Sequence, residues 1–375
     1  MGKIYTSLGL MSGTSGDGVD ASIISSDGID QYNEITNEYF KYDQKIYENL
    51  HNLRAQILKS DDLQKNTNKI KNLEKEITLF HAKVVSKILE SINKKVDFIG
   101  FHGQTIYHNS LEKITKQIGD GNLLSQLTKK TVVYDFRQND IKNGGEGAPL
   151  APIFHRLIVK HKKIRLPVCI LNIGGIANVT SIMEYDKNSF SSRDLGPGNC
   201  LIDEWIRKNT KNKFDNNGEV AKKGKTNDLI LNQAMDNFDN SYSKNISSFD
   251  INDFSLNFVR GLNLEDGAAT LTNFTGKIIE SELINFLSET KNEPWKILVC
   301  GGGRKNMTLM KKISNSIPKN WIIQSIDEYG INGDYVESQA FAYFAIRSFL
   351  GLPITFPKTT GCKKPTTGGE LVKNY

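Results

Sequence analysis

Three glycine-rich turns hold most of the residues in this chain that could grip a phosphorylated ligand. The first lies in Leu8 to Asp20, LGLMSGTSGDGVD. Gly13, Gly16 and Gly18 let the backbone turn tightly and approach a ligand closely. Successive N–H groups there, with the hydroxyls of Ser12, Thr14 and Ser15, could cradle phosphate oxygens. Asp17 and Asp20, on either side of Gly18-Val19, are carboxylates suited to a hydrated magnesium ion. A plain hairpin turn explains the same residues, and both readings stay open. The second turn is Asn172-Ile173-Gly174-Gly175-Ile176-Ala177-Asn178. The third, Gly301-Gly302-Gly303, follows a buried run and permits close approach of a flat ring or a phosphate.

Other side chains offer acid, base or clamp chemistry. His102 and Gln104 follow an expected strand, Val96 to Gly100, at the end where open α/β sheets place ligands. A structural histidine is the competing reading. Arg137, in Asp135-Phe136-Arg137-Gln138-Asn139-Asp140, can clamp an anion or hydroxyl through its planar head, or pair with Asp140 to hold the loop. Asp194 is expected just beyond a strand and beside a helix starting at Cys200, which Asn199 would cap.

The elements that position these groups follow from apolar spacing. Ile4, Leu8 and Leu10 lead into the first turn, and Val19, Ala21, Ile23 and Ile24 lead out, as in two strands of a hairpin. Asn37–Tyr42 reads as a third strand. Ile46, Leu50, Leu53 and Ile57 share a helical face, and Ile70 to Ile88 continues at helical spacing after a polar break. Thr131–Phe136 is a further strand. After Arg165-Leu166-Pro167 the pattern recurs: Val168, Ile170 and Leu171 enter the second turn, and Val179, Ile182 and Met183 leave it. The recurrence suggests a duplicated α/β chain, with residues 1–165 and 166–349 as units and 350–375 as a surface tail. A long helix from Asp266, strands at Lys296–Cys300 and Trp321–Ile326, and a helix Val336–Phe349 with Glu337 in its first turn complete the second half.

Composition bounds the class. The chain has 375 residues, enough for two domains, and no apolar run long enough to span a membrane. Its four cysteines form no metal-ligand spacing, which suggests free thiols in a reducing cytoplasm. The net charge of +6 is carried by dispersed lysines without interleaved aromatics, which argues against nucleic acid and suits anionic substrates. A P-loop fails: Gly218 and Gly224 are separated by five residues, not four. A dinucleotide fingerprint fails because Leu201 stands where its last glycine belongs. Three glycine turns at strand ends fit the actin and sugar-kinase superfamily better, in which the first two hairpins hold phosphates and the late glycines hold adenosine.

Taken together, GLMSGTSGDGVD, FHGQTIYH, VVYDFRQND with GGEGAPLAPIFH, LNIGGIANVT, DLGPGNCLID, CGGGRKN and VESQAFAYFA resemble the anhydro-N-acetylmuramic acid kinases. The resemblance implies a two-domain actin-like fold with a duplicated ribonuclease H-like core, ATP and Mg2+ as cofactors, and usually a homodimer. It implies phosphorylation of an anhydro amino sugar with hydrolytic opening of its ring. Asp194 becomes the base for water, Glu337 a second carboxylate, and Arg137, His102 and Gln104 the sugar-binding set. Asp17 becomes the metal-side carboxylate. The residues Gly13, Thr14, Ser15, Gly16, Asp17, Gly18, Val19, Asp20, Asn172, Gly174, Gly175, Gly301, Gly302 and Gly303 become the nucleotide set. An ordinary N-acetylhexosamine kinase and a non-catalytic actin-like ATPase are the alternatives. Gly16 stands where the family has a bulkier apolar residue, which would loosen the loop. Ile246-Ser247-Ser248 replaces a frequent Pro-Lys-Ser, and Thr355 a frequent asparagine.

Overall fold

A computed structural model describes residues 2–185, 189–241, 248–288 and 294–375. Ile246 and Ser247 lie outside the described residues. The chain forms two compact units, Met1–Ile164 with Tyr335–Tyr375, and Arg165–Asp334.

In the first unit, β1 (Tyr5–Ser12), β2 (Gly18–Ser26) and β3 (Tyr32–Lys41) form an antiparallel meander. On the other side of β1, β4 (Phe98–Asn109) and β6 (Thr131–Tyr134) run parallel to it, and β5 (Ile114–Ile118) folds back on β4. In the second unit, β7 (Val168–Ile173), β8 (Ile176–Ile182) and β9 (Phe190–Pro197) form the meander. There β10 (Lys296–Cys300) and β11 (Ile322–Ser325) run parallel to β7. The strand orders β3-β2-β1-β4-β6 and β9-β8-β7-β10-β11 match one for one. The chain is therefore a structural duplication although the halves share little sequence. Every residue of β7 is buried, as expected of a central strand covered on both faces.

The expected allotment of residues 166–349 to the second unit is corrected. The helix Val336–Phe349 packs on the first sheet, against β1, β2 and β4. Two glycines make this possible: a Cβ at Gly9 would lie 1.9 Å from the carbonyl oxygen of Ser338, and one at Gly100 2.1 Å from that of Phe341. The C-terminal residues are not a surface tail either. Ile354, Thr360 and Cys362 are buried, and β12 (Glu370–Val372) pairs antiparallel with β6. Thr355 is buried and its amide donates to Thr366.

Candidate functional site

The turn between β1 and β2 is gripped from behind by its carbonyls. Gly13 O accepts from Gly16 N at 3.1 Å and from Gln104 Nε2 at 3.0 Å. Thr14 O accepts from Arg54 Nη1 at 2.6 Å, and His51 Nε2 lies 3.1 Å from Ser15 O. Asp17 O accepts from Tyr42 N and from the Tyr39 hydroxyl, both at 3.0 Å. At the base, the Ser12 hydroxyl donates to Gly18 O at 2.7 Å and meets the Tyr42 hydroxyl. The amides of Thr14 and Ser15 have no acceptor among the described residues. A turn with these carbonyls spoken for and two successive amides unused is suited to anions. Gly16, at φ +61°, is buried against Leu50 and Arg54, so the glycine departure does not leave the loop slack. Val19 belongs to the apolar core, so its backbone alone could serve a ligand. Asp17 is half-buried and accepts from the Ser15 hydroxyl at 2.5 Å; Asp20, also half-buried, pairs in β2 opposite Met11 and Tyr39.

His102 and Gln104 do not sit beyond a strand. β4 runs on to Asn109 because β5 gives its second half a partner, so both residues lie mid-strand. His102 is buried, with Nδ1 2.9 Å from Gly103 O and Nε2 3.0 Å from Arg137 Nη2. Burial, and then the Arg137 charge, push its pKa well below the usual histidine value, so the ring is neutral and Nε2 accepts from Arg137. Arg137 Nη1 donates to Gly147 O at 2.8 Å. The Asp140 carboxylate is engaged instead by Gly147 N at 2.8 Å and the Thr360 hydroxyl at 2.7 Å. A buried segment near the C-terminus thus fixes the loop that holds Arg137. Gln104 is fully buried, and its Oε1 has no partner among the described residues. Glu337 is half-buried in the first turn of its helix, in this unit.

The second unit repeats the device with backbone donors. Gly174 O accepts from Asn199 N at 2.8 Å, and Gly175 O accepts from Gly198 N at 2.9 Å and Cys200 N at 3.2 Å. Asn199 does not cap its helix: its backbone is already helical, and its side chain donates to Ile173 O at 3.3 Å. Asn172 is buried beside Gly301, where a Cβ would lie 2.4 Å from Asn172 Oδ1. Gly301, at φ +78°, starts a short turn continuing through Gly302 and Gly303. Arg304 holds it: Nη1 donates to Gly301 O at 3.0 Å and to Asp334 Oδ1 at 2.6 Å, while Nε and Nη2 engage Asp327. Partial burial opposes ionisation of Asp327, but the hydrogen bonds from Arg304 and Ser325 outweigh it and hold its carboxyl below the usual range.

Asp194 also lies inside its strand. The β8–β9 register steps from Ala177 opposite Gly196 to Asn178 opposite Asp194, leaving Leu195 as the extra residue of a bulge. Asp194 is 7% exposed and accepts from Phe249 N at 2.8 Å. Arg54, Tyr39, Tyr42, Thr360, Asp327 and Asp334 were not singled out from sequence. Arg54 had one signal, a cation directly after Leu53 on the apolar helical face.

A sheet order repeated in two units, each with a glycine turn at the tip of its first hairpin, is that of the two-domain actin-like ATPases and sugar kinases, and this chain is of that class. The chain belongs to the anhydro-N-acetylmuramic acid kinase family, whose model matches residues 5–374. The kinase of that name from Pelagibacter ubique is 56% identical over 375 residues, covering 100% of both chains. The one from Zymomonas mobilis is 39% identical, covering 97% of this chain and 98% of its own. Among solved structures, component A of (R)-2-hydroxyglutaryl-CoA dehydratase from Acidaminococcus fermentans aligns over 92% of this chain and 98% of its own, with TM-score 0.45 and 11% identity.

Proposed function

We propose that the chain converts ATP, water and 1,6-anhydro-N-acetylmuramic acid into ADP and N-acetylmuramic acid 6-phosphate, in recycling of bacterial cell wall. Water forms a bond to C1 as the C1–O6 bond breaks. O6 takes the γ-phosphoryl group, ADP leaves, and the water proton goes to a carboxylate. The inward-held carbonyls of the two hairpin turns carry the phosphoryl-transfer part of this reading. Membership of the family carries the sugar.

Asp194 is the base in this reading. Its strand bulge and the Phe249 amide fix a carboxylate that a positioned base requires. Glu337 is the second carboxylate. The turn through Gly13 to Asp20, with Asn172, Gly174 and Gly175, takes phosphates, and Gly301 to Gly303 take the adenosine. Arg137 clamps the sugar, His102 acts through Arg137, and the free Gln104 Oε1 accepts from a ligand hydroxyl or water. No cluster of three acidic, histidine or cysteine side chains suited to a metal occurs among the described residues. Asp17 beside the turn fits a magnesium ion that keeps waters and phosphate oxygens as its other ligands. Bound there, magnesium would neutralise and align the phosphates. Four unbridged cysteines support a cytoplasmic setting. A homodimer completes the proposal, and sedimentation velocity tests it.

The deciding experiment measures ADP release with the anhydro sugar, with N-acetylmuramic acid, with N-acetylglucosamine and with no sugar, in 18O-labelled water. Turnover with the anhydro sugar alone, with label at C1, is the expected result. Turnover with open sugars would instead make this an ordinary amino-sugar kinase, and sugar-independent hydrolysis an actin-like ATPase.

A further inference from the structure

We propose that Arg54 is the positioning residue that shapes the first hairpin turn for nucleotide phosphates; this rests on the proposed function. Arg54 ends the helix Gln44–Arg54 and is 9% exposed. Its head donates to two backbone carbonyls. Nη1 donates to Thr14 O at 2.6 Å, while Nε and Nη2 donate to Thr105 O at 3.1 and 2.6 Å. One planar fork thus ties the turn to the strand that carries His102 and Gln104.

The two ends of this tie are unequal. Thr105 lies within β4, paired with Gln117, at a register irregularity that leaves its carbonyl to Arg54. The ladder holds Thr105 whether or not Arg54 is present. Thr14 has no ladder, and Arg54 is what draws its carbonyl inward. With that carbonyl drawn in, the Ser15 amide of the same planar peptide is turned the other way and left for a ligand, next to the unused Thr14 amide. Gly16 fits the same arrangement: a Cβ there would lie 2.7 Å from Leu50 Cδ2 and 3.2 Å from Arg54 Nη1. The turn is seated directly on the guanidinium. Loss of Arg54 therefore falls on the nucleotide and spares the sugar.

The test uses the whole chain with Arg54→Lys, whose single ammonium cannot span both carbonyls, and Arg54→Gln beside it. ADP affinity is measured by calorimetry without sugar, and KM for ATP and for the sugar by initial rates. Both variants are expected to weaken ADP binding and raise KM for ATP about tenfold, the scale of one lost charge-assisted hydrogen bond. KM for the sugar should stay within about twofold. Unchanged ADP affinity in both variants overturns the proposal, as does a parallel rise of both KM values with a lowered Tm. Failure of the unaltered chain to bind ADP overturns the nucleotide reading itself, and the proposal with it.

Discussion

Nη2 of Arg137 donates to Nε2 of His102 across 3.0 Å, and the opposite ring nitrogen of that histidine faces the Gly103 carbonyl at 2.9 Å. Both nitrogens are therefore committed, and the histidine sets the guanidinium in place as a neutral acceptor. Arg137→Lys can keep the contact to Gly147 O or to His102, but not both. Its KM for the sugar should rise about tenfold, as for one lost charged hydrogen bond, with Tm little changed. Kinetics equal to the unaltered chain would remove Arg137 from sugar binding.

Protonation of His102 would break this arrangement, and other histidines of the first unit share its fate. Burial lowers His81 to about 4, and His108 and His155 to about 3. The folded values lie below the unfolded value, so the unfolded chain binds more protons below pH 6.5. Their stabilising contribution is full above that value and falls as pH drops towards 3, by up to about 1.4 kcal/mol per pH unit for each group. Urea unfolding at pH 7, 6 and 5 should show a declining midpoint. A flat profile between pH 7 and 5 would contradict the neutral, buried histidines.

Asp194→Asn should leave Tm nearly unchanged, since an amide oxygen can still accept from Phe249 N. Turnover should fall by about 10²–10⁴, the scale of a lost general base. Calorimetry on the same variant should show both ATP and sugar still bound. A variant that melts early but turns over normally would give Asp194 a structural role only.

Two adjacent glycines separate packing from ligand contact. A Cβ at Gly303 would lie 2.2 Å from Ile173 Cγ2, whereas at Gly302 the nearest atom is Asn199 Nδ2 at 3.9 Å. Gly303→Ala should destabilise the protein by about 1–3 kcal/mol through overpacking. Gly302→Ala should change stability by less than about 0.5 kcal/mol, yet raise KM for ATP. An unaltered KM in Gly302→Ala would place the adenosine elsewhere.

Both glycine hairpins and the helix Val336–Phe349 were legible because apolar spacing and turn residues are local signals. What escaped depends on distant partners. β4 is long because of Ile114–Ile118, and Asp194 lies in its strand because a bulge interrupts pairing with β8. Asn199 looked like a cap, but its helical backbone turns its side chain to Ile173. Leu371 opposite Val133 joins segments that no local pattern connects. The candidate site followed the same division. Its glycines could be named from sequence, whereas Arg54, Asp140 and Thr360 acquire their roles from contacts made after folding.

The return of residues 335–375 to the first unit sets an order of events during synthesis. The second unit, Arg165–Asp334, is one uninterrupted stretch, complete before the last helix has left the ribosome. The first unit is begun first and finished last. Until Ser338 and Phe341 emerge, the strand faces at Gly9 and Gly100 lack the helix that packs on them. Until Thr360 emerges, one oxygen of the Asp140 carboxylate lacks its hydroxyl donor. A nascent chain halted between Asp334 and Ser338 thus carries a finished second unit and an open first sheet, the kind of exposed apolar surface that invites aggregation.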